Sequence, residues 1–287
     1  MKPIVKYQGG KTRELPLITK LLPKEYDTVL EPFAGGAAVS FALGHRCILN
    51  DMNDALINMY QQVSHPTAFH EVFSHVNWLK TLEHDDLSVE YYKARDYING
   101  THVDPYTWAI SYITVRQLCF SGMERYNSKG KFNVPFGHYK KFSCNLDWNH
   151  MKFLHQSGSS IYHGDFEPIF DMATENDFIF IDPPYLDRLG YAHGSDTLHE
   201  RLVSCMHNSK AKWLFIHSDN DFYRDALSEY HIFYKQFGYA QRFGKNKNHD
   251  AASVSHMYVT NYEDDMTLHR VNNATLQNLL DRDRIEA

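Results

Sequence analysis

The sequence predicts an open α/β sheet interrupted by a mostly helical insert, and three observations lead to that class. Short apolar runs, several ending on acids, alternate with helical patterns before residue 65 and again after residue 152. Between about Pro66 and Met151 that alternation stops. Turns rich in glycine or proline directly follow two of the apolar runs, at the carboxyl ends of strands where open α/β sheets hold ligands.

Taken in order, Thr28 to Glu31 reads as a short buried strand, Pro32 to Gly36 as a turn and Ala37 to Leu43 as a helix. Cys47 to Asp51 is a second strand, and Asp54 can cap a helix running through Ile57, Tyr60 and Gln61. Helical patterns over Phe69 to Leu79, Tyr91 to Ile98 and Tyr106 to Cys119 fill the insert and lead into a loop rich in Gly, Asn, Ser and Lys. Strands resume at Ile161 to His163 and Phe178 to Asp182. Helix Thr197 to His207, strand Trp213 to Ile216 and helix Asp221 to Ser228 follow, with closing strands around Ile232 to Tyr234 and Met257 to Val259. The expected division is a catalytic domain over 1–65 and 152–265, an insert over 66–151 and a polar tail over 266–287.

Composition bounds the function. Hydrophobic residues make up 43% of the 287 positions and charged residues 22%, the balance of a chain that buries a core rather than a disordered one. No apolar run approaches the length of a membrane span, and the opening MKPIVKYQGGKTRELP lacks an apolar export segment, so a cytoplasmic protein is expected. Cys47, Cys119, Cys144 and Cys205 share no metal-type spacing, and the 18 histidines scatter without a His-Glu-x-x-His pattern. Neither a disulfide scaffold nor a metal is expected. The net charge of -6 argues against a generic nucleic-acid coat. Yet the charged residues between Ile110 and Phe142 are Arg116, Glu124, Arg125, Lys129, Lys131, Lys140 and Lys141, nearly all basic. Such a stretch is either a phosphate-facing surface or a solvated loop.

Chemistry concentrates at strand ends. Glu31, Asp51 and Asp182 close predicted strands and Asp165 follows another; acids there suit ribose hydroxyls or an ammonium group, or simply cap helices. The turn Glu31-Pro-Phe-Ala-Gly-Gly36 lets a ligand approach the backbone but is not a Gly-x-Gly-x-x-Gly fingerprint, and Tyr7-Gln-Gly-Gly-Lys11 is not a P-loop. Asp182-Pro-Pro-Tyr185 combines a carboxylate, carbonyls in a backbone stiffened by two prolines, and a flat ring. A conjugated aromatic amine is a poor nucleophile. Donation of both of its hydrogens, one to Asp182 and one to the Pro183 carbonyl, favours a pyramidal nitrogen with its lone pair free. A purely structural Pro-Pro turn is the other reading of the same residues.

Together these segments resemble the Dam-like, alpha-group DNA adenine N6-methyltransferases. The resemblance runs in order through Tyr-Gln-Gly-Gly-Lys at 7–11, Glu-Pro-Phe-Ala-Gly-Gly at 31–36, Asn-Asp-Met-Asn at 50–53, Gly-Asp-Phe at 164–166 and Asp-Pro-Pro-Tyr at 182–185. The stretch Arg125-Tyr-Asn-Ser-Lys-Gly-Lys-Phe-Asn-Val-Pro-Phe-Gly137 looks like the family's DNA-recognition hairpin. The resemblance implies a Rossmann-like, S-adenosylmethionine-dependent methyltransferase sheet with an inserted, mostly helical DNA-recognition subdomain. It implies a cofactor site made of Tyr7, Gly9, Gly10, Lys11, Glu31, Pro32, Phe33, Ala34, Gly35, Gly36, Asp51, Met52, Asn53, Asp165, Phe166 and Asp182. Within it Asp51 holds the ribose hydroxyls, and Asp165 and Phe166 bracket the adenine. Asp182, Pro183, Pro184 and Tyr185 hold a target base flipped from the duplex. The resemblance further implies that Lys6, Arg116, Met123, Arg125, Asn127, Pro135, His138 and Tyr139 touch DNA, with Lys6 on the first guanine of GATC and Arg125 on the distal half-site.

The chain departs from the family pattern at Ser121 and Glu124, before the hairpin, and at His138, where an arginine is common. The stretch after Tyr185 is shorter and differently composed than in many relatives. The expected activity is therefore methylation of adenine N6 at GATC or a relaxed relative of it, in double-stranded DNA, by a monomer with no obligatory protein partner, in a prokaryotic or phage setting. Non-specific adenine methylation and N4-cytosine methylation are the enzymatic alternatives, although Asp182 stands where the latter usually has serine. A catalytically silent DNA-binding protein is the non-enzymatic one. A protein-glutamine methyltransferase would show Asn-Pro-Pro-Tyr, and no endonuclease Pro-Asp…Asp/Glu-x-Lys cluster is present.

Overall fold

The computed structural model describes residues 1–101, 104–156, 159–186, 195–238 and 253–263. The stretch 187–194 after the Asp-Pro-Pro-Tyr turn and the polar tail over 266–287 lie outside the described residues. By contacts the chain forms two compact units, Met1–Lys20 with Asp27–Met172, and Leu21–Tyr26 with Ala173–Ala287.

The first unit runs α1 (Leu15–Ile18), β1 (Val29–Glu31), α2 (Ala38–Leu43), β2 (Cys47–Asp51), α3 (Asp54–Ser64), α4 (Pro66–Leu79), α5 (His84–Ile98), α6 (Pro105–Leu118), α7 (Trp148–Gln156), β3 (Ser160–His163) and α8 (Glu167–Met172). Its strands are parallel in the order β3-β2-β1, with Leu30 opposite Ile48 and Leu49 opposite Ile161. Every residue of β1 is buried, which accounts for its unbroken apolar reading up to Glu31. Beside the strands, α3 packs on α4, α6 and α7, and α5 on α6. The stripe Phe69, Val72, Val76 and Leu79 on α4 is fully buried at helical spacing. Each such side chain contributes about 1.5–3 kcal/mol of burial. Pro105 starts α6, where its missing N–H is harmless, and the Asp104 side chain accepts from Thr107 N at 2.9 Å.

The hairpin expected between Arg125 and Gly137 is present. Asn127 N donates to Lys131 O at 2.9 Å and Asn133 N to Arg125 O at 3.0 Å, around a Tyr126–Phe132 antiparallel bridge. Helix α5 anchors it: the Tyr91 hydroxyl donates to Val134 O at 2.7 Å, and the Asn99 amide both donates to Phe132 O at 2.9 Å and accepts from Phe132 N at 2.8 Å.

The second unit holds β4 (Phe178–Ile181), α9 (Ser195–Asn208), β5 (Lys212–Ser218), α10 (Asp221–Ala226), β6 (His231–Gly238) and β7 (Ser253–Thr260). Its strand order is β4-β5-β7-β6, with β4 and β5 parallel and β7 antiparallel to both neighbours. The α/β class expected from the sequence is therefore the class observed. Three helices were not foreseen. α1 and α8 are too short to show a period, and α7 begins inside what reads as a polar stretch, with Met151, Phe153 and Leu154 as its buried apolar residues. Ala37, read as helical, sits just before α2 in the left-handed region at φ 49°.

Asn50, near the end of β2, fastens two loops that follow strands. Its side-chain amide donates to Pro32 O and to Gly164 O, each at 3.0 Å, while Ala34 N donates to Asn50 O at 2.7 Å. Asn50→Leu keeps the volume but strands buried carbonyls, so urea unfolding should show a loss of about 1–3 kcal/mol with an unchanged slope. A loss below about 0.5 kcal/mol would mean that the amide does not hold these loops.

Candidate active site

The residues singled out at the ends of β1 and β2 converge within the first unit. Asp51 is half-buried, and backbone N–H groups orient both of its carboxylate oxygens: Gly35 N donates to Oδ2 at 2.9 Å and Asn53 N to Oδ1 at 2.9 Å. Burial raises the Asp51 carboxyl above the ordinary aspartate value; the N–H groups of Asn53 and Gly35 pull it back and the charge of Glu124 pushes it up again. Asn53, rather than Asp54, is the residue that caps α3, accepting from Leu56 N at 3.1 Å. Met52 beside them is 69% exposed.

Gly35 is fixed from three sides. Its N–H meets Asp51, its carbonyl accepts from the Tyr60 hydroxyl at 2.8 Å, and its φ is +47°. A Cβ there would lie 2.9 Å from Cε1 of Tyr7, and one at Gly36 would lie 3.2 Å from Cβ of Tyr7. The sequence suggested that these glycines make room for a ligand. In the structure the room is taken by Tyr7, so the glycine turn and the N-terminal aromatic form one packed unit. Lys11 is buried, with Nζ donating to Gly9 O at 2.9 Å.

Glu31 is buried and one of its oxygens accepts from Ser40 N at 2.8 Å. It supplies the N-terminal cap that Ala37 lacks. Asp165 Oδ1 likewise accepts from Glu167 N at 3.0 Å at the start of α8. Phe166 is buried, its ring centroid 5.2 Å from that of Phe33. Phe33, Gly35, Asp51, Asp165 and Phe166 thus lie at or just after the ends of β1, β2 and β3, where Asn50 fastens the loops, and Tyr7 of the N-terminal segment packs on the glycine turn. Sequence reasoning missed Asn50 as a site-building residue, though it is the only polar side chain in β2 before Asp51.

Among the expected DNA contacts, Lys6, Met123, Arg125, Asn127, Pro135 and His138 are exposed and Tyr139 is half-buried. Lys6 Nζ donates to Gln117 O at 2.8 Å and lies 4.0 Å over the Tyr139 ring, and Arg125 Nε donates to Asn133 Oδ1 at 2.7 Å. The Asn127 side chain accepts from Lys129 N and Lys131 N at 2.9 and 3.0 Å and shapes the hairpin turn. Arg116 is different. It is 1% exposed, and its guanidinium donates to Lys6 O, Gly122 O and Met123 O. The direct DNA contact expected of Arg116 gives way to an internal staple, because a buried guanidinium with these partners has no face left for phosphate.

In the second unit, Asp182 to Tyr185 leave the buried strand β4 at its carboxyl end, with Pro183 buried and Asp182, Pro184 and Tyr185 half-buried. Two buried histidines flank Tyr185: ring centroids are 4.7 Å away for His217, at the end of β5, and 5.6 Å, edge-on, for His256 on β7. Leu186 N donates to His217 Nε2 at 3.3 Å, which places the ring hydrogen on Nδ1, 2.8 Å from Ser218 O. A third buried histidine, His199 of α9, meets His217 edge-on and pairs through Nδ1 with the Tyr223 hydroxyl. In the sequence these histidines are scattered. His217 lies just beyond the strand as predicted, and the strand-end argument applied to the acids could have flagged it.

A model of the D12 class N6 adenine-specific DNA methyltransferases matches residues 7–241, most of the chain, from Tyr7 through the Asp182 to Tyr185 turn and beyond. The chain belongs to that family. This methyltransferase is 32% identical over 273 residues to the type II methyltransferase M.CviBI of Paramecium bursaria Chlorella virus NC1A, covering 91% of this chain and 100% of the relative. It is 30% identical over 283 residues to the type II methyltransferase M1.LlaDCHI of Lactococcus lactis subsp. cremoris, with coverage of 91% and 96%. A DNA adenine methylase of Haemophilus influenzae is 32% identical over 188 residues, 64% of each chain. The D12-class methyltransferase is thus an adenine-specific DNA methyltransferase with a Rossmann-like α/β fold. Among its described residues no helix is long and apolar enough to cross a membrane.

The packing of Tyr7 on the glycine turn is open to a direct test. Gly35→Ala should cost about 1–2 kcal/mol for the left-handed backbone, plus whatever displacing the Tyr7 ring adds. In the Tyr7→Ala background the same substitution should cost less. Equal costs in both backgrounds, measured by thermal unfolding, would show that the ring does not set the glycine requirement.

Proposed function

We propose that this adenine-specific DNA methyltransferase takes its methyl group from S-adenosylmethionine and acts on double-stranded DNA at GATC or a relaxed relative of it. The observation that carries the cofactor assignment is the Asp51 carboxylate, half-buried at the end of β2 and oriented by the Gly35 and Asn53 N–H groups. Each of its oxygens retains lone-pair capacity for a ribose hydroxyl. Phe33 and Phe166 offer aromatic faces and Asp165 a further acceptor, a set that suits a nucleoside. Tyr7, Lys11, Glu31 and the backbone of Gly9, Gly10 and Pro32 to Gly36 are proposed to build and line the remainder, with Met52 at its exposed edge. S-adenosylmethionine, when bound, supplies an electrophilic methyl group on a sulfonium.

Asp182 and the Pro183 carbonyl are proposed to accept the two hydrogens of the adenine amine, and Tyr185 to stack on the flipped base. The support is the placement of this turn at the carboxyl end of a buried strand, with Tyr185 packed on His217. Residues 66–151 are proposed as the target-recognition insert, joined to a catalytic part over 1–65 and 152–265. The protein is proposed to act as a monomer on the DNA of a prokaryote or phage. Arg125, Lys129, Lys131, Lys140 and Lys141 all have exposed side chains, as a phosphate-facing surface requires.

Asp182→Ala should abolish methyl transfer in a tritiated-methyl assay, whereas Tyr185→Ala should lose about 1–3 kcal/mol of base stacking and keep residual turnover. Near-normal turnover by Asp182→Ala would remove the carboxylate from the mechanism.

Sequence choice is tested at Lys6. A lysine reading guanine O6 and N7 must leave Gln117 O and the Tyr139 ring for the major groove. Lys6→Ala should then lose roughly 1–3 kcal/mol of discrimination at the base preceding the target adenine. A uniform loss at all sites, with a shallower salt dependence, would make Lys6 a phosphate contact instead.

A further inference from the structure

Just before the recognition hairpin, Glu124 is an acid that departs from the family pattern, and that acid faces inward. One of its carboxylate oxygens accepts from Asn53 Nδ2 at 3.2 Å and from the Tyr126 hydroxyl at 2.9 Å; the other lies 3.4 Å from Arg116 Nη1. Its own N–H donates to Gln8 Oε1 at 3.3 Å. Asn53 is the residue that caps α3 and whose N–H orients Asp51. A single side chain therefore separates the base of the hairpin from the carboxylate assigned to the ribose.

The other end of this chain of contacts faces outward. Arg125, next to Glu124, and Tyr126 are exposed, and the outer hairpin is held by the Tyr126–Phe132 bridge, the Asn127 turn and the Arg125–Asn133 bonds. A partner that grips this face also fixes the backbone of Glu124. That in turn fixes Asn53 and, through it, the loop that aims Asp51. Ligands at the two places therefore act on one chain of contacts, and whichever binds first holds it for the other.

We propose that Glu124 is a positioning residue joining the recognition hairpin to the cofactor loop, so that DNA and the nucleoside cofactor raise each other's affinity through the Glu124–Asn53–Asp51 contacts. This rests on the reading of Asp51 and the hairpin given under the proposed function. The alternative is that Glu124 serves only to neutralise buried Arg116. Asn53→Ser separates the two, since serine still caps α3 but is too short to reach Glu124, and the Arg116–Glu124 pair is left intact.

The test is calorimetric binding of S-adenosylhomocysteine, which cannot react, to the full chain with and without a saturating duplex that the wild type methylates. In the wild type the duplex should tighten binding about fivefold or more. In Asn53→Ser and in Glu124→Ala the enhancement should fall to about twofold or less, and the double variant should be no worse than either single one. Glu124→Gln, which still accepts from Asn53 and Tyr126, should keep most of the enhancement. Independent binding in the wild type, or full enhancement in Asn53→Ser, would overturn the proposal. Should Glu124→Ala fail to fold, Asn53→Ser decides alone. A wild type that binds DNA but no S-adenosylhomocysteine would overturn the reading of Asp51, and this inference with it.

Discussion

A guanidinium cannot shed its proton in a protein, so burying Arg116 at 1% exposure obliges the surrounding chain to supply acceptors for it. It does so from two segments far apart in sequence. Nε and Nη2 both reach Lys6 O, and Nη1 and Nη2 reach Met123 O and Gly122 O, with Glu124 supplying the countercharge. Once these bonds are made, the N-terminal segment and the start of the hairpin cannot move independently. The same segment carries Tyr7, whose ring fills the space beside Gly35 and Gly36. From Gly35 the constraint passes to Asp51. One buried cation therefore fixes the relation between the surface proposed for DNA and the loops proposed for the cofactor.

The acids at strand ends were legible in the sequence because they interrupt apolar runs, and parallel strands buried on both faces leave few other polar positions. Their individual partners were not. Glu31 and Asp165 accept from the starts of helices, while Asp51 is oriented by backbone N–H groups, and nothing in the one-dimensional pattern separates these cases. Arg116 was misread for a related reason. It lies in a basic stretch, and charge along a sequence does not reveal which side of a helix a residue occupies when its neighbours Val115, Gln117 and Leu118 are buried too. The glycine turn was legible as a close approach, but what approaches is the protein's own tyrosine.

The second unit shows the same limit at the turn proposed to hold the target base. Asp-Pro-Pro-Tyr stands out by composition, yet the buried histidines around Tyr185 come from β5, β7 and, at one remove, α9, so that no local motif contains them. Burying three imidazoles requires partners for their ring nitrogens. The Leu186 N–H, the Ser218 carbonyl and the Tyr223 hydroxyl provide some of them. The result is a tyrosine whose ring packs against other rings rather than against mobile aliphatic chains, and the stacking proposed for it benefits from that rigidity.

The most direct test of the account is base-resolution mapping of modified bases in unmethylated duplex DNA after treatment with the purified protein and S-adenosylmethionine. N6-methyladenine is expected, concentrated where guanine precedes the modified base, and no N4-methylcytosine. Methylated cytosine, or DNA left unmodified by a protein that binds it, would contradict the assignment of Asp182 to Tyr185 as an adenine-amine site.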